Sequence, residues 1–327
     1  MPEEMASRIS QTRSLLPTLE ASLKAFQQSP STPFKIIRSV NPSSLSTSTP
    51  NTAIKSSSPV LGAGPRTLFI LDSSYNPPSR AHLAMATTAL RTTTEPTPKR
   101  LLLLFSTSNA DKAPKPASFE QRLAMMTIFA QDLQSELQNQ SQPTTPDRGE
   151  TDSRGNGREE EIGIDIGVTI EPYYTSKSHA IAFAVPPPYP SYPTHIHLLG
   201  YDTLIRFLAP KYYSAFHPSL SALTPYFESG HKLLVLLRPT TTDPRDSEQE
   251  QRHYISSLSK GHLQNEGFKR TWADQIGILE GGDIAKAAGI SSTLIRAAVK
   301  TEKWDDVEGI CTPGIATWIR EESLYND

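Results

Sequence analysis

The sequence predicts an α/β protein: a doubly wound, mostly parallel sheet with helices on both faces. Three observations carry this reading. Short apolar runs recur along the chain, at 67–71, 101–105, 162–170, 195–199, 232–237 and 276–280. Segments with apolar residues at helical spacing lie between them, and strand–helix alternation of this kind builds parallel sheets covered on both faces. The run Thr67-Leu68-Phe69-Ile70-Leu71 has the composition of a strand buried in such a sheet.

Each element follows from its local pattern. Residues 5–28 carry Ile9, Leu15, Leu16, Leu19, Leu23 and Phe26 at roughly helical spacing, which predicts an amphipathic helix. The stretch "FKIIRSV" (34–40) reads as a strand. "NPSSLSTSTPNTAIKSSSP" (41–59) reads as a flexible connection, because Ser, Thr and Pro cannot bury enough apolar area to offset ordering. Residues 1–65 are therefore expected to form an N-terminal helix–strand extension with a linker, and 66–327 the main domain. After strand 67–71, Ser79 can cap a helix through "RAHLAMATTAL", with Leu83, Ala86 and Leu90 inward. After "LLLLF" (101–105), Ser118 and Gln121 have capping-box spacing, followed by Leu123, Met126, Ala130, Leu133 and Leu137 on one face. The polar stretch 139–161 has no apolar periodicity and is expected to be a disordered insertion. In 162–170 the even positions Ile162, Ile164, Ile166, Val168 and Ile170 are all apolar, a period of two.

Bulk properties narrow the function classes. With 327 residues and a formal net charge of −2, no global field favours nucleic acid or an anionic membrane. The one cysteine, Cys311, permits no disulfide framework and suits a reducing compartment. No run approaches the ~20 apolar residues of a membrane span, and "MPEEMASRIS" lacks the apolar core of a secretory signal. A cytoplasmic location, and also a nuclear one, is expected. "LGAGPR" (61–66) lacks a third glycine and precedes a strand, against hydride transfer with a dinucleotide. No GxxxxGK[ST] phosphate loop occurs.

In doubly wound sheets the ligand lies at the carboxyl ends of the strands, near the point where strand order reverses. Polar residues just after a strand therefore merit a functional reading. "LDSSYNPPSRAHL" (71–83) leaves strand 67–71 through two prolines and places His82 in the first turn of a helix. Unpaired N–H groups and the helix dipole favour an anion there, and a histidine can donate to the same anion. "GISSTLIRAAVK" (289–300) repeats the arrangement, with Ser291, Ser292 and Thr293 at a helix start and Arg296 one turn in. Either stretch alone is more readily a capped helix with a surface residue. Two anion-ready helix starts in one chain point to a phosphate-rich ligand.

Taken together, these stretches carry a resemblance. "SSYNPPSRAHL" resembles the GxFNPxxxxHL signature of nucleotidyltransferases that work without a covalent intermediate, and "ISSTLIR" matches their ISSTxIR signature. "LLGYDTLIRFLAPKYY" (198–213) resembles the GxDxLxxF block of the nicotinamide mononucleotide adenylyltransferases, and the order of the blocks agrees. The resemblance spans about residues 66 to 325, is nearest to a diverged fungal branch, and implies a Rossmann-like nucleotidylyl transferase fold. It implies an enzyme that joins ATP and nicotinamide mononucleotide into NAD and pyrophosphate, with magnesium accompanying ATP and small molecules as its partners. His82 and Arg296 would be catalytic. Ser74, Tyr75, Asn76, Ser79, His82, Gly200, Asp202, Ser292, Thr293 and Arg296 would bind ATP. Lys112 or Lys115, Arg238, and Tyr173 or Tyr174 would meet the mononucleotide, the tyrosines in place of a tryptophan of the animal enzymes. One departure stands out: the family glycine before the loop is Ser73 here. The same resemblance leaves open another phosphate acceptor, nicotinate mononucleotide or a pantetheine phosphate, or a regulatory protein that binds nucleotide with little turnover.

Overall fold

The computed structural model describes residues 2–29, 31–42, 64–108, 117–139, 162–239 and 247–326. The expected connection from residue 43 onward, the expected insertion beyond Asn139, and Lys112 and Lys115 lie outside them. Among the described residues the strands are β1 (Phe34–Val40), β2 (Thr67–Asp72), β3 (Lys99–Ser106), β4 (Gly163–Thr169), β5 (Thr194–Gly200), β6 (Lys232–Leu236) and β7 (Ile276–Ile278). The helices are α1 (Pro2–Gln27), α2 (Arg80–Thr92), α3 (Phe119–Asn139), α4 (Tyr174–Ala182), α5 (Tyr201–Phe207) and α6 (Thr224–Glu228), then α7 (Glu248–Ser259), α8 (Gly282–Ala287), α9 (Ser292–Lys300), α10 (Trp304–Ile310) and α11 (Pro313–Glu321).

The strands form one sheet in the order β1-β4-β3-β2-β5-β6-β7. All neighbours are parallel except β1, which runs antiparallel to β4 at the edge. The chain builds outward from β2 through β3 to β4, then returns to place β5 on the other side of β2. Strand order thus reverses between β2 and β5, and a doubly wound sheet opens a crevice at that point.

Alternation along the strands divides the core. Phe69, Leu71, Leu101, Leu103, Phe105, Ile164, Ile166 and Val168 face one layer, where α2, α3, α9 and α11 pack. Leu68, Ile70, Leu102 and Leu104 face the other, against Ala180 and Ile181 of α4. The N-terminal segment is built into this same core. Ile9, Leu19, Leu23 and Phe26 of α1 are buried in it, and Arg8 pairs with Asp132 of α3 at 2.6 Å. Strand β4 keeps its period of two but is buried on both faces. The alternate position Asp165 is satisfied by Arg100 at 2.5 and 2.6 Å, Ser39 Oγ at 2.6 Å and Tyr189 Oη at 2.8 Å. The capping box expected at α3 is incomplete. The Gln121 N–H reaches Ser118 Oγ only at 3.5 Å, and the Gln121 side chain instead accepts from Trp318 Nε1 of α11 at 2.9 Å.

Beneath the crevice, β5 contributes two inward histidines. His195 stacks on His231 at 4.4 Å, and His197 is bonded to Ser178 Oγ at 2.8 Å. Burial holds both well below the ordinary imidazole value; for His195 the neighbouring His231 adds to this, and His231 itself is pushed down by burial to about 4. Folded protein therefore binds fewer protons than unfolded chain once pH drops below the unfolded value near 6.5. The stability these groups contribute is complete above that pH and is lost progressively as pH falls toward 4. We expect the urea midpoint to be flat from pH 8 to 7 and to drop steadily from about 6.5 to 4. A midpoint that stays constant down to pH 4.5 would show that the three imidazoles are charged in the fold.

Candidate active site

The crevice is a cleft of ≈ 1190 Å³ at the carboxyl edge of the sheet. Its walls come from the ends of β2, β3, β5 and β6 and the starts of α2 and α9. Four arginines and a lysine (Arg122, Arg206, Arg238, Arg296 and Lys177) line it against two aspartates, Asp72 and Asp202. A chain with a net charge of −2 thus concentrates positive charge in one concavity, which favours an anionic ligand.

The two signature stretches meet here. Arg296 Nη1 donates to the Asn76 carbonyl at 2.6 Å, and Ser292 Oγ donates to the Pro77 carbonyl at 2.7 Å. These bonds join residues more than 200 positions apart in sequence. They seat the start of α9 against the loop that leads into α2, so both helix starts border the same space. Ser291 caps α9 by accepting from the Leu294 N–H at 3.3 Å. Thr293 is exposed to the cleft, and its Oγ1 accepts from Arg296 Nη2 at 3.2 Å. The Asn76 side chain turns inward, where Oδ1 accepts from Tyr325 Oη at 2.9 Å, so the end of the chain braces the loop.

His82 lies at the cleft floor, packed beside Tyr75 at 5.6 Å and edge-on to Phe129 at 6.4 Å. Its Nδ1 lies 3.1 Å from the Ser79 backbone nitrogen and 2.8 Å from Ser79 Oγ. A backbone N–H can only donate, so Nδ1 accepts and the ring proton resides on Nε2, as assigned from the bonding pattern. Nε2 in turn faces Ser73 Oγ at 2.9 Å. Burial, and then the charge of Arg238, push the His82 imidazole down to about 4. His82 is a neutral Nε2–H donor near neutrality.

Most of the expected residues line the cleft: Ser74, Asn76, His82, Tyr173, Tyr174, Gly200, Asp202, Arg238, Ser292, Thr293 and Arg296. Two do not. Tyr75 is fully buried, with its hydroxyl on the Leu71 carbonyl, because a left-handed backbone (φ 45°) turns its ring under the loop. Ser79 is buried at the cap of α2 behind His82. Both support the site from beneath rather than touching its surface. The two tyrosines also differ. Tyr174 packs on His197 and Phe207, whereas Tyr173 is 39% exposed and borders the opening. Gly200 lets β5 approach Arg238, since a Cβ there would lie 3.2 Å from Arg238 Nε.

Sequence reasoning missed Arg206, and two further features besides. Arg122, early in α3, reaches the cleft with its guanidinium 5.7 Å from the Phe105 ring and 5.3 Å from Phe119. Lys177 of α4 forms a buried ion pair with Asp72 and lies 5.1 Å over the Tyr174 ring. Asp72 ends an apolar strand, so the rule about polar residues after strands could have found it. Nothing local marks Arg122 or Lys177, which sit inside helices.

A curated relative is in keeping with the motif resemblance. A Schizosaccharomyces pombe protein named "Putative nicotinamide mononucleotide adenylyltransferase" is 28% identical over 236 residues, covering 71% of this chain and 75% of that protein. The similarity to this protein runs over most of both lengths. No protein-family model matches the chain. Two solved Plasmodium falciparum nicotinic acid mononucleotide adenylyltransferase structures are also similar, one complexed with NaAD and one with APC. They are 12% and 14% identical, each covers 80% of this chain and 98% of its own, and the TM-scores are 0.41 and 0.38. Relative to the signatures it resembles, the chain carries the histidine and the arginine, with a hydroxyl residue at Ser73.

Proposed function

We propose that the protein transfers the adenylyl group of ATP to the phosphate of nicotinamide mononucleotide, forming NAD and releasing pyrophosphate. The observation that carries this reading is the meeting of α2 and α9 at one cationic cleft, with Arg296 bonded to the loop that precedes His82. A phosphate oxygen of the mononucleotide forms a bond to the α-phosphorus of ATP while the bond to the bridging oxygen of pyrophosphate breaks in line. Such a displacement asks the protein for alignment and charge stabilisation rather than a nucleophile. Neutral His82, together with the Ser73 hydroxyl that its Nε2–H meets, would stabilise charge developing on the α-phosphate. Arg296, Thr293 and the amide end of α9 hold the β- and γ-phosphates. Arg238 and the exposed ring of Tyr173 face the mononucleotide. Magnesium would enter with ATP, held by phosphate oxygens and water; among the described residues no group of three His, Cys, Asp or Glu side chains is arranged to hold a metal.

The test is direct. Purified protein given ATP and nicotinamide mononucleotide should form NAD and pyrophosphate in equal amounts; no NAD, with turnover on another phosphate acceptor or none, rejects the reading. Arg296→Ala removes a charged donor worth about 1.5 kcal/mol or more, so ATP should bind roughly tenfold more weakly in a titration. An unchanged dissociation constant would remove Arg296 from the triphosphate.

A further inference from the structure

Ser73 and His82 both line the ligand space, and the Ser73 hydroxyl faces the His82 ring. Its backbone N–H is anchored to the Leu104 carbonyl of β3 at 3.2 Å, so the residue is held at the carboxyl end of the sheet. Its hydroxyl lies 2.9 Å from His82 Nε2, and the Tyr75 N–H approaches the same oxygen at 3.5 Å. A hydroxyl has two lone pairs and one proton. Both neighbours are donors: Nε2 because Nδ1 already accepts from the Ser79 backbone, and Tyr75 because it is an amide. The two lone pairs of Ser73 are therefore engaged from the protein side. Its own O–H is the one element left to point elsewhere, and the residue lines the cleft.

We propose that the Ser73 hydroxyl is the group that touches the ligand phosphate, and that His82 acts through it as a positioning residue that fixes and polarises the O–H. The inference rests on the adenylyl-transfer reading and deepens it. Chains with glycine at this position have no hydroxyl to interpose, so the serine changes which atom meets the anion. The proton stays shared along the chain from Nε2–H through Oγ–H to phosphate oxygen, and no bond to Ser73 is made or broken. Adjacent donors that polarise one another make each a stronger hydrogen-bond donor than it would be alone.

Three substitutions separate this from a structural role. Ser73→Thr keeps the hydroxyl and should retain kcat within about threefold. Ser73→Ala keeps the Cβ, loses the donor and holds the ligand off His82; kcat should fall roughly tenfold or more while KM for ATP changes less. Ser73→Gly opens Nε2–H to the ligand directly and should be faster than Ser73→Ala. A second readout needs no turnover. With histidine labelled by nitrogen-15, a non-hydrolysable ATP analogue should leave the His82 Nε2 resonance nearly unmoved in the wild type and shift it in Ser73→Gly. Equal shifts in the two proteins would show that phosphate contacts His82 without the serine, and would overturn the proposal, as would a Ser73→Ala kcat equal to wild type. If the wild type makes no NAD, adenylyl transfer is rejected, and the labelled-histidine titration still decides the role of Ser73.

Discussion

His82→Ala should lower the rate of NAD formation by about 10²-fold or more, the usual cost of deleting one preorganised donor to a developing oxyanion. The loss should appear in kcat, because in the proposed mechanism the His82–Ser73 pair acts on charge that grows in the transition state rather than on ATP in its ground state. The geometry argues for a specific cause. His82 is locked by the Ser79 N–H on one ring nitrogen and faces Ser73 on the other. Removing the ring leaves the Ser73 hydroxyl free to rotate and takes away the donor behind it. The pH dependence supplies a second check. Because burial pushes this imidazole down to about 4, it stays neutral throughout the neutral range. The ratio of wild-type to His82→Ala rates should be constant from pH 8 to about 5.5. A ratio that collapses as pH falls through 6.5 would mean that His82 titrates at its ordinary value and is not held by the Ser79 amide. Equal rates for the two proteins would remove His82 from the chemistry.

How much of this site was legible in the letters depends on what each residue does. Strand positions and the two helix starts follow from apolar periodicity and hydroxyl caps, which are local properties; the switch of strand order is not. The placement of His82 and Arg296 is local too, since a first-turn residue has few directions available. Tyr75 and Ser79 show the limit. They occupy motif positions, yet a left-handed φ sends the Tyr75 ring inward, and the Ser79 hydroxyl is turned toward His82. Direction is decided by backbone torsion and by partners distant in sequence, and neither is written in spacing. The same holds for Asn76, whose side chain is claimed by Tyr325 from the far end of the chain. Even the departure at Ser73 changes meaning once coordinates exist. By sequence it is a bulkier glycine; in space its oxygen is the acceptor that orders a histidine. The depressed imidazoles of β5 were likewise invisible, because "HIHLL" reads as an ordinary strand until burial and the stacked His231 are seen.

Lys177→Ala should be the most destabilising of the substitutions considered, by about 3 kcal/mol or more. Lys177 and Asp72 are each less than a tenth exposed, and they pair across the crevice wall between α4 and the end of β2. Taking away the ammonium strands a carboxylate in a nearly dry place, where its hydration is lost and its charge uncompensated. Asp72 also receives the Tyr174 hydroxyl, and that tyrosine is held well above the ordinary phenol value by burial first and by Asp72 second. The lone carboxylate therefore keeps one donor but no counter-charge. If the penalty comes from the stranded charge, neutralising it should recover stability. The double variant Asp72→Asn/Lys177→Met keeps an acceptor for Tyr174 and an apolar stem over its ring, and should regain most of the loss in a urea denaturation series. A single Lys177→Ala variant within 1 kcal/mol of wild type would mean that water reaches the pair. A double variant no more stable than the single one would place the cost in lost packing instead. The pair also sets the shape of the ligand space, because Tyr173 caps the start of α4 at the opening while Asp72 precedes Ser73 at the floor. An energetically strong tie between those two walls holds Tyr173 and Ser73 at a set separation, as the proposed in-line displacement would require.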